Sequence, residues 1–311
     1  MDVRKALDGR AVVLMLVLCL TWGLQQSILK LAAPDIAPIM QIAVRSGVAA
    51  VLVGLLMVWR KERVALAEGN WRAGLLVGFL FAFEFLLVSE ALRLTSASHT
   101  AVFLYTAPIF VALGLHVALP AERLNALQWT GIALAFAGIV VAFVGPVAHA
   151  STAAATGEST LLGDFLALLG GLSWAATTVV IRCSRLARAS ASETLLYQLV
   201  GAFVLLLGAA YALEQTTIKP TALAWGSLLF QSLIVSFASF LVWFWLLKKY
   251  LASELGVFSF LTPIFGVGFG VWLLGESLET RFIGGAALVL GGVVLVNSHG
   301  WIRQRFLTSQ G

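Results

Sequence analysis

The sequence predicts an all-α polytopic membrane protein, built as ten transmembrane helices in two inverted five-helix repeats. Three observations carry that prediction. Of 311 residues, 60% are hydrophobic and 11% charged, whereas a water-soluble chain carries roughly 25% charged residues. Apolar stretches long enough to cross about 30 Å of hydrocarbon as helices recur along the chain. The second half also repeats the motif order of the first.

The first span covers 11–31. It contains "LTWGLQQSILK" (Leu20 to Lys30), an oily run that carries two adjacent amides, Gln25 and Gln26. Its basic start and the "LAAP" that follows resemble a signal peptide. The apolar run is long enough to span, and Lys30 sits just before the apparent cleavage site, so it reads as a retained helix. Span two (38–59) carries Arg45, and span three (72–93) carries Glu84. Span four (98–118) contains Tyr105 and Pro108, and span five (126–144) is rich in glycine and alanine. A polar segment, 145–159, reads as a flexible linker between a first unit, 11–144, and a second, 160–298. The later spans are 160–182, 192–213, 222–247, 252–274 and 282–298. They offer Trp174, Gln198, Gln231 and Pro263.

The even number of spans puts both termini on one side, and the distribution of basic residues selects the cytoplasmic side. With that orientation Arg4, Lys5, Arg10, Arg60, Lys61, Arg63, Arg72, Arg123, Arg182, Arg185, Arg188, Lys248, Lys249, Arg303 and Arg305 lie inside. The outer ends hold Lys30, Arg93, Lys219 and Arg281. The net charge of +5 therefore reports topology and gives no sign of nucleic acid. Trp59, Trp71, Trp129, Trp225, Trp243, Trp245, Trp272 and Trp301 fall near helix ends, as interface anchors do. Trp22 and Trp174 fall near mid-depth.

The repeat is visible residue by residue. "VFLYTAPIFVALGLHVALPAERL" from Val102 echoes "VFSFLTPIFGVGFGVWLLGESL" from Val257. "GIALAFAGIVVA" from Gly131 matches "GAALVLGGVVLV" from Gly285, and "LTWG" at Leu20 pairs with "LSWA" at Leu172. Five helices per repeat is an odd number, so the second copy enters the bilayer from the opposite side. The substrate site of such a fold lies near the midplane, between the repeats.

This ordered pattern resembles the EamA branch of the drug/metabolite transporter superfamily, over about Ala11 to Asn297. The resemblance implies a multi-pass protein of the bacterial inner membrane that exports amino acids and other small metabolites. It further implies a central cavity lined mainly by the first four helices of each repeat. Uptake or a channel on the same fold is the alternative reading, and a membrane-embedded enzyme is the alternative from another class. No HExxH, GxSxG or Walker A motif occurs, so neither catalysis nor ATP drive is expected within the chain. No cofactor or metal site is expected: the histidines are scattered singly, and Cys19 and Cys183 read as buried, inert thiols.

At 1.5 Å per residue, Arg45 lies about 12 Å below the outer surface, Glu84 at nearly the same depth, and Gln25 and Gln26 about 9 Å down. A charge at such depth is costly and must face the bundle interior, paired or wet. Two readings follow. In the structural one, an Arg45–Glu84 ion pair clips spans two and three together while the glutamines bond neighbouring helices. In the functional one, these groups line the cavity together with Trp22, Tyr105, Trp174, Gln198 and Gln231. Arg45 then attracts a substrate carboxylate, and Glu84 an ammonium or a proton. The second repeat is expected to be almost free of buried charge. Pro108 and Pro263, each read as breaking a backbone hydrogen bond in mid-helix, are hinge candidates. Glu122 and Glu276 are expected to cap the helices that follow them.

Overall fold

The computed structural model describes residues 8–62, 70–119, 124–143, 157–250, 259 and 261–308; the side chains of residues 143, 157–159, 244, 247, 248 and 296–308 fall outside the description. The described residues form helices and no strand beyond an isolated bridge between Ile36 and Ile218. Seven helical segments are long and apolar enough to cross a membrane, and three shorter apolar helices accompany them.

In chain order these are α1 (Gly9–Leu31), α2 (Pro38–Trp59), α3 (Asn70–Leu94), α4 (Ala97–Leu104), α5 (Ala107–Ala118) and α6 (Ala126–Phe143). The expected linker, 145–159, lies outside the described residues up to 156, and its last three residues belong to α7. The later helices are α7 (Gly157–Cys183), α8 (Ala191–Ala212), α9 (Ala222–Leu229), α10 (Phe240–Lys249), α11 (Leu261–Leu274) and α12 (Thr280–Thr308). Local sequence sets many of the starts. Asp8, Ser96, Ser190 and Thr221 each turn a side-chain oxygen onto a backbone N–H of the first helical turn, satisfying a donor that has no partner within the helix. Ser190 with Glu193 has the capping-box spacing. Pro38 opens α2, where a missing N–H costs nothing.

Two expected spans are not single α-helices. The chain of span four turns at Tyr105 and Thr106 and restarts at Ala107, so Pro108 stands in the first turn of α5. Pro263 likewise sits in the first turn of α11. Neither proline breaks a helix in its middle, because each occupies the position where its absent N–H has no intrahelical acceptor to lose. Between α9 and α10 the chain winds as a π-helix, Phe230–Ser239. π-Helical turns are rare and are often found at functional sites.

The distribution of polarity is inverted relative to a soluble protein. Val51, Leu55, Leu75, Phe79 and Val204 are exposed, while Gln25, Gln26, Gln41, Arg45, Glu84 and Gln231 are buried. An apolar exterior of this extent suits a lipid surface. Trp59, Trp71, Trp129, Trp225 and Trp272 are exposed near helix ends as expected, but Trp243 instead packs edge-on against Trp22, with centroids 5.6 Å apart. Cys19 is buried as expected; Cys183 is exposed, because it ends α7 outside the packed interior.

Helices of the first half pack chiefly against helices of the second. α1 lies on α11, α2 on α8 and the π-helix, α3 on α7 and α8, α4 on α7 and α11, and α6 on α12. Since lipid offers helices no hydrophobic drive to associate, close backbone approach through small residues does much of this work. At the α3–α8 crossing a Cβ on Gly201 would lie 2.7 Å from Gly78 backbone atoms, and at α6–α12 one on Gly292 would lie 2.4 Å from the Gly131 carbonyl oxygen.

The loop between α1 and α2 meets the loop between α8 and α9. The Ala37 N–H donates to the Thr217 carbonyl, the Lys219 N–H to that of Asp35, and the Thr221 hydroxyl to the Asp35 carboxylate. At the other end of α1, Asp8 caps the helix through Ala11 N–H and accepts a 2.8 Å bond from the Tyr250 hydroxyl. The Ala11 N–H, and after it the Tyr250 hydroxyl, hold the Asp8 carboxyl below its ordinary range. The stability this contributes is present above the usual carboxylate range and is lost as pH falls through the depressed value. Tyr250→Phe is therefore expected to lower the thermal midpoint at neutral pH, with the difference from wild type shrinking as pH falls through the carboxylate range.

Candidate functional site

Near the middle of the bundle three side chains from both halves close a hydrogen-bonded triangle. Arg45 on α2 is 2% exposed. Its Nη1 donates to the Gln231 Oε1 at 2.6 Å and to the Gln25 Oε1 at 3.3 Å. Gln231, at the start of the π-helix, returns its Nε2 to the Gln25 backbone carbonyl at 3.0 Å. The guanidinium also lies 4.6 Å from the centroid of the Phe85 ring, a cation–π placement. The burial of this charge is thus offset by amide dipoles and an aromatic face.

Glu84 on α3 is 5% exposed, and its Oε2 makes no hydrogen bond. No Arg45–Glu84 contact within salt-bridge distance occurs among the described residues, which corrects the ion-pair reading. The two residues share a depth, but Arg45 is turned toward α1 and the π-helix. Gln26, 1% exposed, makes no side-chain hydrogen bond with either end of its amide, and the Arg45 Nε is also without a partner.

Tyr105, at the turn between α4 and α5, lies within interaction range of Glu84, Cys19 and Thr262, and its ring meets Trp174 edge-on at 5.2 Å. Trp22 and Trp174 match in the repeat but differ in surroundings. The Trp22 Nε1 donates to the Ser239 hydroxyl at 2.8 Å, and its ring packs on Trp243 and Phe240. Gln198 is half-buried on α8 and takes no part in the Arg45 triangle. The structure thus brings together Gln25, Arg45 and Gln231, places Glu84, Tyr105 and Trp174 in a second group, and leaves Gln198 apart.

Several buried polar groups were not anticipated. Gln41 spans the α1–α2 loop through the carbonyls of Leu29 and Ile36 and accepts from the Ser227 hydroxyl. The expectation of almost no buried charge in the second repeat fails at Asp164, 2% exposed, and at Glu193, also 2% exposed. Asp164 accepts from the Thr95 hydroxyl at 2.6 Å and pairs with the His99 Nδ1 at 2.8 Å, while His99 stacks on Phe282 at 3.8 Å. Asp164 inside an apolar run was the available signal.

Glu276 does not cap the helix after it. Its carboxylate reaches across to α4, accepting from the Ala97 N–H, the Ser98 N–H and the Ser98 hydroxyl at 2.7, 2.9 and 2.6 Å. Gly275, with φ of 64°, makes the turn that aims it there, a backbone conformation glycine adopts readily. Its counterpart, Glu122, lies outside the described residues. Glu276→Ala is expected to cost about 0.5–2 kcal/mol, as lost helix caps do, and Glu276→Gln less, because one acceptor survives. Thermal unfolding of the purified protein measures both.

The model of the EamA-like transporter family matches residues 9–144 and 161–298, two copies that together cover most of the chain. The chain belongs to this family. Among its relatives, an uncharacterized transporter, YoaV, of Bacillus subtilis is 23% identical over 89% of this chain and 92% of its own length. A probable amino-acid metabolite efflux pump of Salmonella typhimurium is 24% identical, covering 91% of this chain and 93% of the pump. A crystal structure at 18% identity aligns with a TM-score of 0.64 over 91% of this chain and 96% of the other, which supports the fold.

Proposed function

We propose that this EamA-like protein is a secondary transporter that exports small metabolites such as amino acids across the cell's inner membrane by alternating access. In this reading α4–α5 form one span, as do α9, the π-helix and α10. The ten resulting spans make two inverted repeats, 11–144 and 160–298 joined by 145–159, with both termini in the cytoplasm. The observation that carries the proposal is the buried polar centre. Arg45, Gln25 and Gln231 are contributed by both halves, and Glu84 lies on the same interface between them. Such groups are costly in hydrocarbon, and a midplane site between repeats is where a carrier binds its substrate.

Rocking of the halves exposes the centre to each side in turn. The break at Tyr105–Thr106 ahead of Pro108, and the start of α11 at Pro263, are the bending points. Tyr105 and Trp174 supply the apolar wall, with Gln26, Trp22 and Gln198 farther along the lining. The relative named as an efflux pump supports the outward direction and the substrate class. Metabolite profiling of the medium of overexpressing and deleted cells tests this. A compound whose external level rises with expression supports export; one that rises only on deletion overturns the direction, and an unchanged profile overturns the transport reading.

A further inference from the structure

An ammonium group brings a positive charge and three donors with no acceptor. Glu84 Oε2 and Gln26 Oε1 are buried oxygens that accept no hydrogen bond. Glu84 and Thr262 share one neighbourhood through Tyr105. On α1, Cys19, Gly23 and Gln26 fall on one helical stripe, and a Cβ on Gly23 would meet α11 between Thr262 and Gly266. Tyr105 stands within range of Cys19, Thr262 and Glu84. Its edge-on contact with Trp174 gives the same neighbourhood aromatic surface, which favours cations as well as apolar bodies.

Arg45 is placed differently. Its Nη1 is taken by Gln231 and Gln25, and its guanidinium lies over Phe85. A substrate carboxylate would have to displace protein amides to bind Nη1, whereas Glu84 Oε2 has no bond to give up.

We infer that the site recognises the amino end of its substrate, with Glu84 receiving a primary ammonium beside Gln26 and Thr262, and that a carboxylate on the substrate is not required. This rests on the transporter reading above and narrows it to compact amines with an apolar body, amino acids included. Arg45 then holds α1, α2 and the π-helix together and does not bind the substrate's acid group.

The test compares four ligands of one carbon skeleton on the purified wild-type protein, by the rise in thermal unfolding midpoint with ligand concentration. Leucine carries both charges, isoamylamine the ammonium alone, isocaproate the carboxylate alone, and N-acetyl-leucine a blocked amine. Leucine and isoamylamine are expected to stabilise the protein, and the other two are not. Glu84→Gln is expected to weaken isoamylamine binding about 10- to 100-fold, the range for losing a hydrogen bond to a charged group. Failure of isoamylamine to bind, equal binding of isocaproate, or isoamylamine binding untouched by Glu84→Gln overturns the inference. Each of these leaves metabolite export intact in the cell assay, so a failure here is distinct from a failure of the transporter reading.

Discussion

Gln231→Leu is expected to be among the most damaging single substitutions in this protein. Gln231 is fully buried and holds the Arg45 guanidinium at 2.6 Å. Leucine is close to it in size, so the change removes the acceptor and leaves little cavity. It leaves Arg45 with the longer Gln25 bond at 3.3 Å and removes the second donor from the Gln25 carbonyl, which keeps its place in the α1 backbone ladder. A hydrogen bond to a charged group is worth about 1.5–3 kcal/mol, and a loss of that size follows. Gln25→Leu is expected to cost less, because the backbone carbonyl that Gln231 uses remains. The midpoints of the two variants in thermal unfolding check this order; a Gln231→Leu protein as stable as wild type would show that Arg45 does not depend on the triangle.

Gly201→Val is expected to disrupt the association of the halves. The atoms that would meet its Cβ are all backbone of Gly78, at 2.7 Å, and backbone cannot rotate away as a side chain can. The helices must separate, and overpacking of this kind costs about 1–3 kcal/mol or more. Here the cost falls on the α3–α8 interface, on the same helix as Glu84. Transport is therefore expected to fall further than stability does. Gly208, on α8 with Gly201, meets nothing within 4 Å, and Gly208→Val is expected to be near neutral. A Gly201→Val protein with wild-type unfolding midpoint and flux would contradict the close crossing.

Much of the fold is legible in the sequence because hydrocarbon imposes a length and a polarity on each helix. Runs such as Pro38–Trp59 declare themselves by hydropathy, and caps at Ser96, Ser190 and Thr221 mark where helices start. Depth is also legible: counting residues put Gln25, Arg45 and Glu84 in one layer. Depth gives height along a helix but not the direction a side chain faces, so the expected Arg45–Glu84 pair does not form. The true partner of Arg45, Gln231, comes from the other half, and no local pattern specifies that meeting. The π-helix Phe230–Ser239 has no local signature either; its buried polar residues Gln231 and Ser239 bond to Arg45 and Trp22 from the other half. Glu276 misled for a related reason. A carboxylate near a helix start reads as that helix's cap, and only the fold shows that the start of α4 is nearer.

Single-cysteine labelling in cells tests the central claim, two oppositely oriented halves around a shared polar centre, most directly. With Cys19 and Cys183 replaced, Arg60→Cys after α2 and Thr217→Cys after α8 occupy corresponding turns of the two repeats. A membrane-impermeant maleimide is expected to label Thr217→Cys in intact cells and Arg60→Cys only after permeabilisation. Labelling of both from the same side would contradict the inverted arrangement.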